Sequence, residues 1–169
     1  EIAVASTKAY TAQIALLAIV AIHFAEILGL NDEKISELKK DMLLLPSQIE
    51  EVLKDTNTIK QFAQRAYKED DMFFIGRGVD YAVALEGSLK LKEISYIHSE
   101  AYPSGELKHG PIALIENDVT VISILTNRML VEKSISNIQE VVTRGAKTFI
   151  VTNQDLSEEL TASFDTVIN

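Results

Sequence analysis

Cysteine is absent from the sequence, which excludes disulfides, thiolate catalysis and zinc-thiolate sites. With no signal-like N-terminus, the expectation is a cytoplasmic protein. Positive charge is short too: 16 Lys and Arg stand against 25 Asp and Glu, a net charge of -9. Gripping a phosphate backbone needs clustered cations, so nucleic acid is not an expected partner. Long apolar runs are missing. The longest, Ile14 to Ile22, is bracketed by Gln13 and His23, and a membrane span needs about 20 apolar residues. It reads as a buried core helix, and no membrane partner is expected. There is no G-x-S-x-G elbow, no P-loop and no His/Asp/Glu set at metal-ligand spacing, so neither a metal nor a cofactor is expected.

What is present describes a globular chain: 169 residues, 47% hydrophobic and 24% charged. Thr7 to Leu28 is free of Gly and Pro and predicts one long, mostly buried helix that stops at Gly29. Apolar residues at steps of three and four predict a second helix over Asp32 to Leu53, kinked or split at Pro46. A third covers Thr56 to Tyr67. At "MFFIGRG" the pattern changes to short apolar runs alternating with helices: Met72 to Gly78, Thr120 to Thr126, Lys147 to Asn153 and Asp165 to Asn169. Near-continuous hydrophobicity marks strands buried on both faces. The expected fold is α/β, three-layered α-β-α around a parallel sheet of flavodoxin-like type, preceded by helices. The chain opens on Glu1 and closes in mid-strand on "FDTVIN", and both ends are expected to belong to something longer.

Four stretches could carry chemistry. "GRGVDY", Gly76 to Tyr81, joins a strand to a helix where parallel α/β proteins bind anions. Tyr81 stands in place of the third glycine of a dinucleotide fingerprint, leaving a tight turn or a sugar or phosphate contact as the readings. On the helix from about Asp80 to Ile97, Glu86, Lys90, Glu93 and Ile97 share a narrow face. Leu85, Leu89 and Tyr96 flank it on one side, Val83 and Ile94 on the other. Ser88, Ser95 and Lys92 lie opposite, where a solvated face is expected. Either this is a ladder of surface ion pairs or a carboxylate base beside a cation in an apolar cleft, an arrangement suited to proton abstraction next to a carbonyl. In the second reading Glu93 is the base and Lys90 its companion. "YPSGELKHGP" reads as a loop or short helix in which Ser104 can cap, and His109 is the best acid-base candidate among the histidines. His23 reads as a packed core histidine; His98 is open. In "EIAVASTKAY", Ser6 and Thr7 stand where an N-cap or a ligand contact fits.

"EIAVASTKAY" and "FIGRGVDYAVALEGSLKLKEISYIHSEAYPSGELKHGP", with the spacing between them, resemble the isomerase part of the glutamine:fructose-6-phosphate amidotransferases. The resemblance covers the whole chain. It implies sugar-isomerase (SIS) domains in a homodimer that converts fructose 6-phosphate and glutamine-derived ammonia to glucosamine 6-phosphate through an enediol-type intermediate. Residues 1–70 would be the helical end of a first SIS domain and a linker, and residues 71–169 most of a second. Carried over by position, Glu93 matches the base, Lys90 a supporting lysine, and His109 a ring-opening histidine that serves the neighbouring subunit. Val4 and Ser6 match sugar-contacting positions. Glu86, Lys92, Glu100, Glu106 and Lys108 are structural by default.

The family's glutaminase domain, the phosphate loop of its first SIS domain and its C-terminal tail have no counterpart in residues 1–169. Two other readings share the fold: a non-catalytic phosphosugar-binding SIS module, and another SIS sugar-phosphate isomerase or deglycase. The isolated 169-residue chain is expected to form no glucose 6-phosphate from fructose 6-phosphate; turnover by the purified chain in a coupled assay contradicts this.

Overall fold

The computed structural model describes residues 5–169. The chain divides into two units, Glu1–Lys60 and Gln61–Asn169. The first unit is helical. Helix α1, Lys8–Ile27, ends where Gly29 turns to φ 61° and the Leu30 N-H reaches back to the Ala25 carbonyl. Helix α2, Asp32–Val52, starts at Asn31, whose side chain accepts from the Lys34 N-H at 3.0 Å. Pro46 does not split it: α2 runs through unbroken, and the Ser47 hydroxyl donates to the Leu44 carbonyl at 2.8 Å.

Burial in this unit departs from expectation. Helix α1 buries none of its residues, and Leu17 is 64% exposed. His23, expected in a core, is exposed. The physical reason is a shortage of partners: among the described residues of this unit α1 packs on α2, and one neighbouring helix covers one face. By length and a mean hydropathy of 1.6, α1 is also long and apolar enough to cross a membrane, a test that core helices of soluble proteins pass as well.

The second unit contains a five-stranded parallel sheet of order β2-β1-β3-β4-β5, the flavodoxin-like arrangement. Its strands are β1 (Asp71–Gly76), β2 (His98–Pro103), β3 (Thr120–Leu125), β4 (Lys147–Thr152) and β5 (Thr166–Ile168). Helix α3 (Asn57–Ala66) leads in, α4 (Val79–Ser95) joins β1 to β2, α5 (Val131–Thr143) joins β3 to β4, and α6 (Glu158–Ala162) joins β4 to β5.

Strand alternation sorts the layers. Phe73 and Ile75 of β1 belong to a core with Leu107, Ile115, Val121, Ile138, Val141, Ile150 and Phe164, which places α5, α6 and the β2-β3 crossover on one face. Phe74 points the other way, against Gly87 of α4, and Phe149 meets Phe62 of α3 with ring centroids 4.0 Å apart. The expected three-layer α-β-α fold is present.

Two local expectations fail here. The stretch read as the end of the Asp80 to Ile97 helix and a loop contains strand β2. Its polar sequence "HSEAYP" hid it, since an edge strand needs little apolar surface. Helix α4 stops at Ser95 because Tyr96 takes a left-handed conformation, φ 63°. Ser104 caps nothing; it is buried, and among the described residues its hydroxyl has no partner.

The β1-α4 turn requires Gly76. A Cβ there would lie 2.6 Å from the Asp80 carbonyl carbon and 2.7 Å from the Tyr81 nitrogen, and both are backbone atoms that cannot swing aside. Gly76→Ala is therefore expected to lower stability by about 1–3 kcal/mol, the usual cost of overpacking; an unchanged urea midpoint contradicts it.

Candidate functional site

Helix α4 meets the sheet through its smallest side chains. Asp80, Ala84 and Ser88, four residues apart, form its buried face. The Ser88 hydroxyl lies 2.9 Å from that of Ser99 on β2, which also donates to the Ser88 carbonyl at 2.9 Å. At Gly87 a Cβ would come within 2.9 Å of the Phe74 ring. This overturns the expected phase of the helix. The Ser88 side, taken as solvent-facing, packs on the sheet, because close helix-to-sheet approach selects for small volume rather than for apolarity. Val83, Leu85, Leu89, Ile94 and Tyr96 are exposed instead.

The phase sets the charged residues facing away from the sheet, at about 140–160° around the helix from Ser88. There the Lys90 ammonium lies 2.5 Å from Glu93 Oε2 and 3.5 Å from Glu86 Oε1. The three side chains shield one another: Lys90 is 18% exposed and Glu93 30%. Glu86, set aside as structural, is thus the third member of the cluster. Its spacing from Lys90, one helical turn, was the available signal. The hydrogen bond that Lys90 donates to Glu93 is the largest influence on Lys90 and raises its pKa; burial opposes this, and the charges of Glu93 and Glu86 add to it.

The other expected residues lie elsewhere. His109 is exposed at the end of a 3-10 turn, Leu107–His109, whose Leu107 is anchored in the core on the α5 face. Helix α4 covers the opposite face, so the sheet separates His109 from Glu93, and among the described residues no hydrogen bond or ion pair links them. His98 pairs through Nδ1 with Asp71 at 2.6 Å and lies 3.8 Å from Glu100. Ser6 is half-exposed in the first unit. Val4 lies outside the described residues. Thr7 makes no side-chain cap; its carbonyl instead accepts from the Thr11 hydroxyl at 3.2 Å.

A cavity of about 370 Å³ at the strand N-termini, lined by Phe62, Arg65, Glu69, Lys147 and Asp165, holds none of the expected residues. Its charges are engaged: Lys147 lies 3.3 Å from Asp118 and 3.8 Å from Glu69, and Asp165 accepts from the Thr148 N-H at 2.7 Å.

An open parallel sheet in this order, with helices on both faces, defines a doubly wound α/β domain. The SIS domain model matches residues 66–167, more than half of the chain, and the chain belongs to the SIS domain family. It is 58% identical over 170 residues to a glutamine-fructose-6-phosphate aminotransferase (isomerizing) of Clostridium perfringens, covering 99% of this chain and 28% of that protein. The namesake protein of Clostridium tetani is 58% identical over 148 residues, 87% of this chain and 24% of its own length. The chain thus spans about a quarter of the length of these relatives. Among solved structures, the C-terminal domain of glucosamine-fructose-6-phosphate aminotransferase from Francisella tularensis superposes with a TM-score of 0.89 at 37% identity, covering 99% of this chain and 47% of that one.

The raised pKa of Lys90 has a definite sign. A cation whose folded pKa exceeds its unfolded value contributes stability that is complete below the unfolded value and lost as pH rises through the folded one. The loss therefore begins above the ordinary 10.5. In a ¹³C NMR titration the Lys90 Cε resonance is expected to reach its midpoint above 10.5, and Glu93→Gln to bring it back towards that value. A wild-type midpoint at or below 10.5 contradicts the ion-paired geometry.

Proposed function

We propose that this chain is part of the isomerase portion of a glutamine-fructose-6-phosphate aminotransferase, with residues 1–70 ending a first SIS domain and 71–169 forming most of a second. The whole protein converts fructose 6-phosphate and glutamine-derived ammonia to glucosamine 6-phosphate. It acts as a cytoplasmic homodimer on a phosphosugar, without a cofactor and with no nucleic-acid or membrane partner. The observation that carries this reading is the Glu86-Lys90-Glu93 cluster, found in a chain 58% identical to aminotransferases of that name.

Glu93 is the base. It takes the proton from C1 of the open-chain ketose and returns one to C2, passing through an enediol-type intermediate. Lys90 holds the Glu93 carboxylate in place, and Glu86 holds Lys90 from its other side. A partly shielded carboxylate beside a cation suits the task, because the pair holds the carboxylate in one position for the proton transfer. Val4 and Ser6 contact the sugar.

His109 opens the sugar ring in the site of the neighbouring subunit. Its position beyond the sheet from Glu93 supports this assignment, since one copy keeps the two groups on opposite faces. The exposed apolar rim of Leu85, Leu89 and Ile94 around the cluster supports a covered site, as an interface would provide.

In the full-length enzyme Glu93→Gln is expected to abolish isomerisation while sugar binding persists; retained turnover favours a non-catalytic sensing module. Mixing is the sharper test. Homodimers of Glu93→Gln and of His109→Ala are each expected to be inactive. If the site is shared, random exchange of their subunits restores about one quarter of wild-type activity, because half the dimers carry one intact site. No recovery after verified exchange places both residues in one copy's site.

A further inference from the structure

We propose that the Asp80 carboxylate is a built-in anion that fills the backbone nest at the switch point of the sheet and closes this domain's own crevice to phosphate. In the order β2-β1-β3-β4-β5 the winding reverses between β1 and β3. Outside the carboxyl ends of two such strands, open parallel sheets ordinarily take their ligands. On the β3 side the donors are N-H groups of the loop after that strand. The Thr126 and Asn127 N-H groups donate to Asp80 Oδ2 at 3.0 and 3.1 Å, and the Thr126 hydroxyl donates to Oδ1. The Met129 N-H donates to Asn127 Oδ1 at 3.1 Å, and the Leu130 N-H to the Asn127 carbonyl at 2.9 Å. From the β4 side, Gln154 Nε2 donates to the Thr126 carbonyl at 3.0 Å.

Asp80 is 2% exposed and lies at the second residue of α4. It does not cap its own helix, because its partners lie 46 and 47 residues further on. Two backbone N-H groups and a hydroxyl on one carboxylate are what a phosphate group would otherwise accept. A second anion would have to displace a buried carboxylate and bear its charge. Glu93 is also remote: thirteen residues along α4 is about 20 Å, longer than a hexose phosphate. A phosphosugar whose carbons meet Glu93 is therefore held by its phosphate outside the β1/β3 crevice.

Where the sugar phosphate lies rests on the role proposed for Glu93; the filling of the nest by Asp80 does not, and survives a negative result there. Its test follows the Thr126 and Asn127 amides of the ¹⁵N-labelled chain during titration with inorganic phosphate, against chloride at matched ionic strength. In the wild type neither amide is expected to respond saturably. In Asp80→Ala, and in the milder Asp80→Ser should the first fail to fold, both should shift saturably, and phosphate should raise the melting temperature of the variant only. Asp80→Asn, which fills the nest without charge, should remain silent. A saturable wild-type response, silence in the folded Ala or Ser variant, or an Asn variant that binds like Ala overturns the proposal.

Discussion

The close approach of helix α4 to strands β1 and β2 sets the geometry of everything around it. Ala84, Gly87 and Ser88 put so little volume between helix and sheet that Phe74 packs directly on the helix backbone, and the Ser88-Ser99 hydrogen bond locks rotation about the helix axis. With one face committed, the remaining phases follow from 100° per residue. Glu86, Lys90 and Glu93 point away from the sheet, and Asp80 points into it. A larger residue at 87 or 88 would turn or lift the helix and move all four acidic and basic groups together.

The Asp80 carboxylate and the Glu86-Lys90-Glu93 cluster on this helix face different surroundings, and the difference decides what each can do. At the N-terminal end Asp80 is buried and fully engaged with the loop after β3, so it stabilises by tying two connections of the sheet together. Buried polar groups of this kind are costly to leave unpaired. At the C-terminal end Glu93 shares one cation with Glu86 and keeps part of its surface open. An exposed ion pair contributes little to stability. The Lys90 trio therefore contributes little to holding the fold.

Much of this was legible in one dimension. The parallel sheet could be read from β-branched apolar runs separated by helical patterns, and the shared face of Glu86, Lys90 and Glu93 from helical periodicity. Failures fell where burial had to be inferred from polarity. Helix α1, largely apolar, buries nothing within its unit, where α2 is its neighbour. Strand β2 was hidden by polar residues that an edge position permits. The solvent side of α4 was assigned to its serines, which are in fact its packing surface.

The sequence by itself determined periodicity: which residues are strand-like or helical, and which charges share a helix face, since both follow from local geometry. Which face is inward depends on the shape of the surface a helix meets, and that surface is assembled from strands far away in the chain. Only the tertiary structure could join Asp80 to Thr126 and Asn127, or set His109 and Glu93 on opposite sides of one sheet, because winding direction, not spacing, decides the layer to which each crossover belongs.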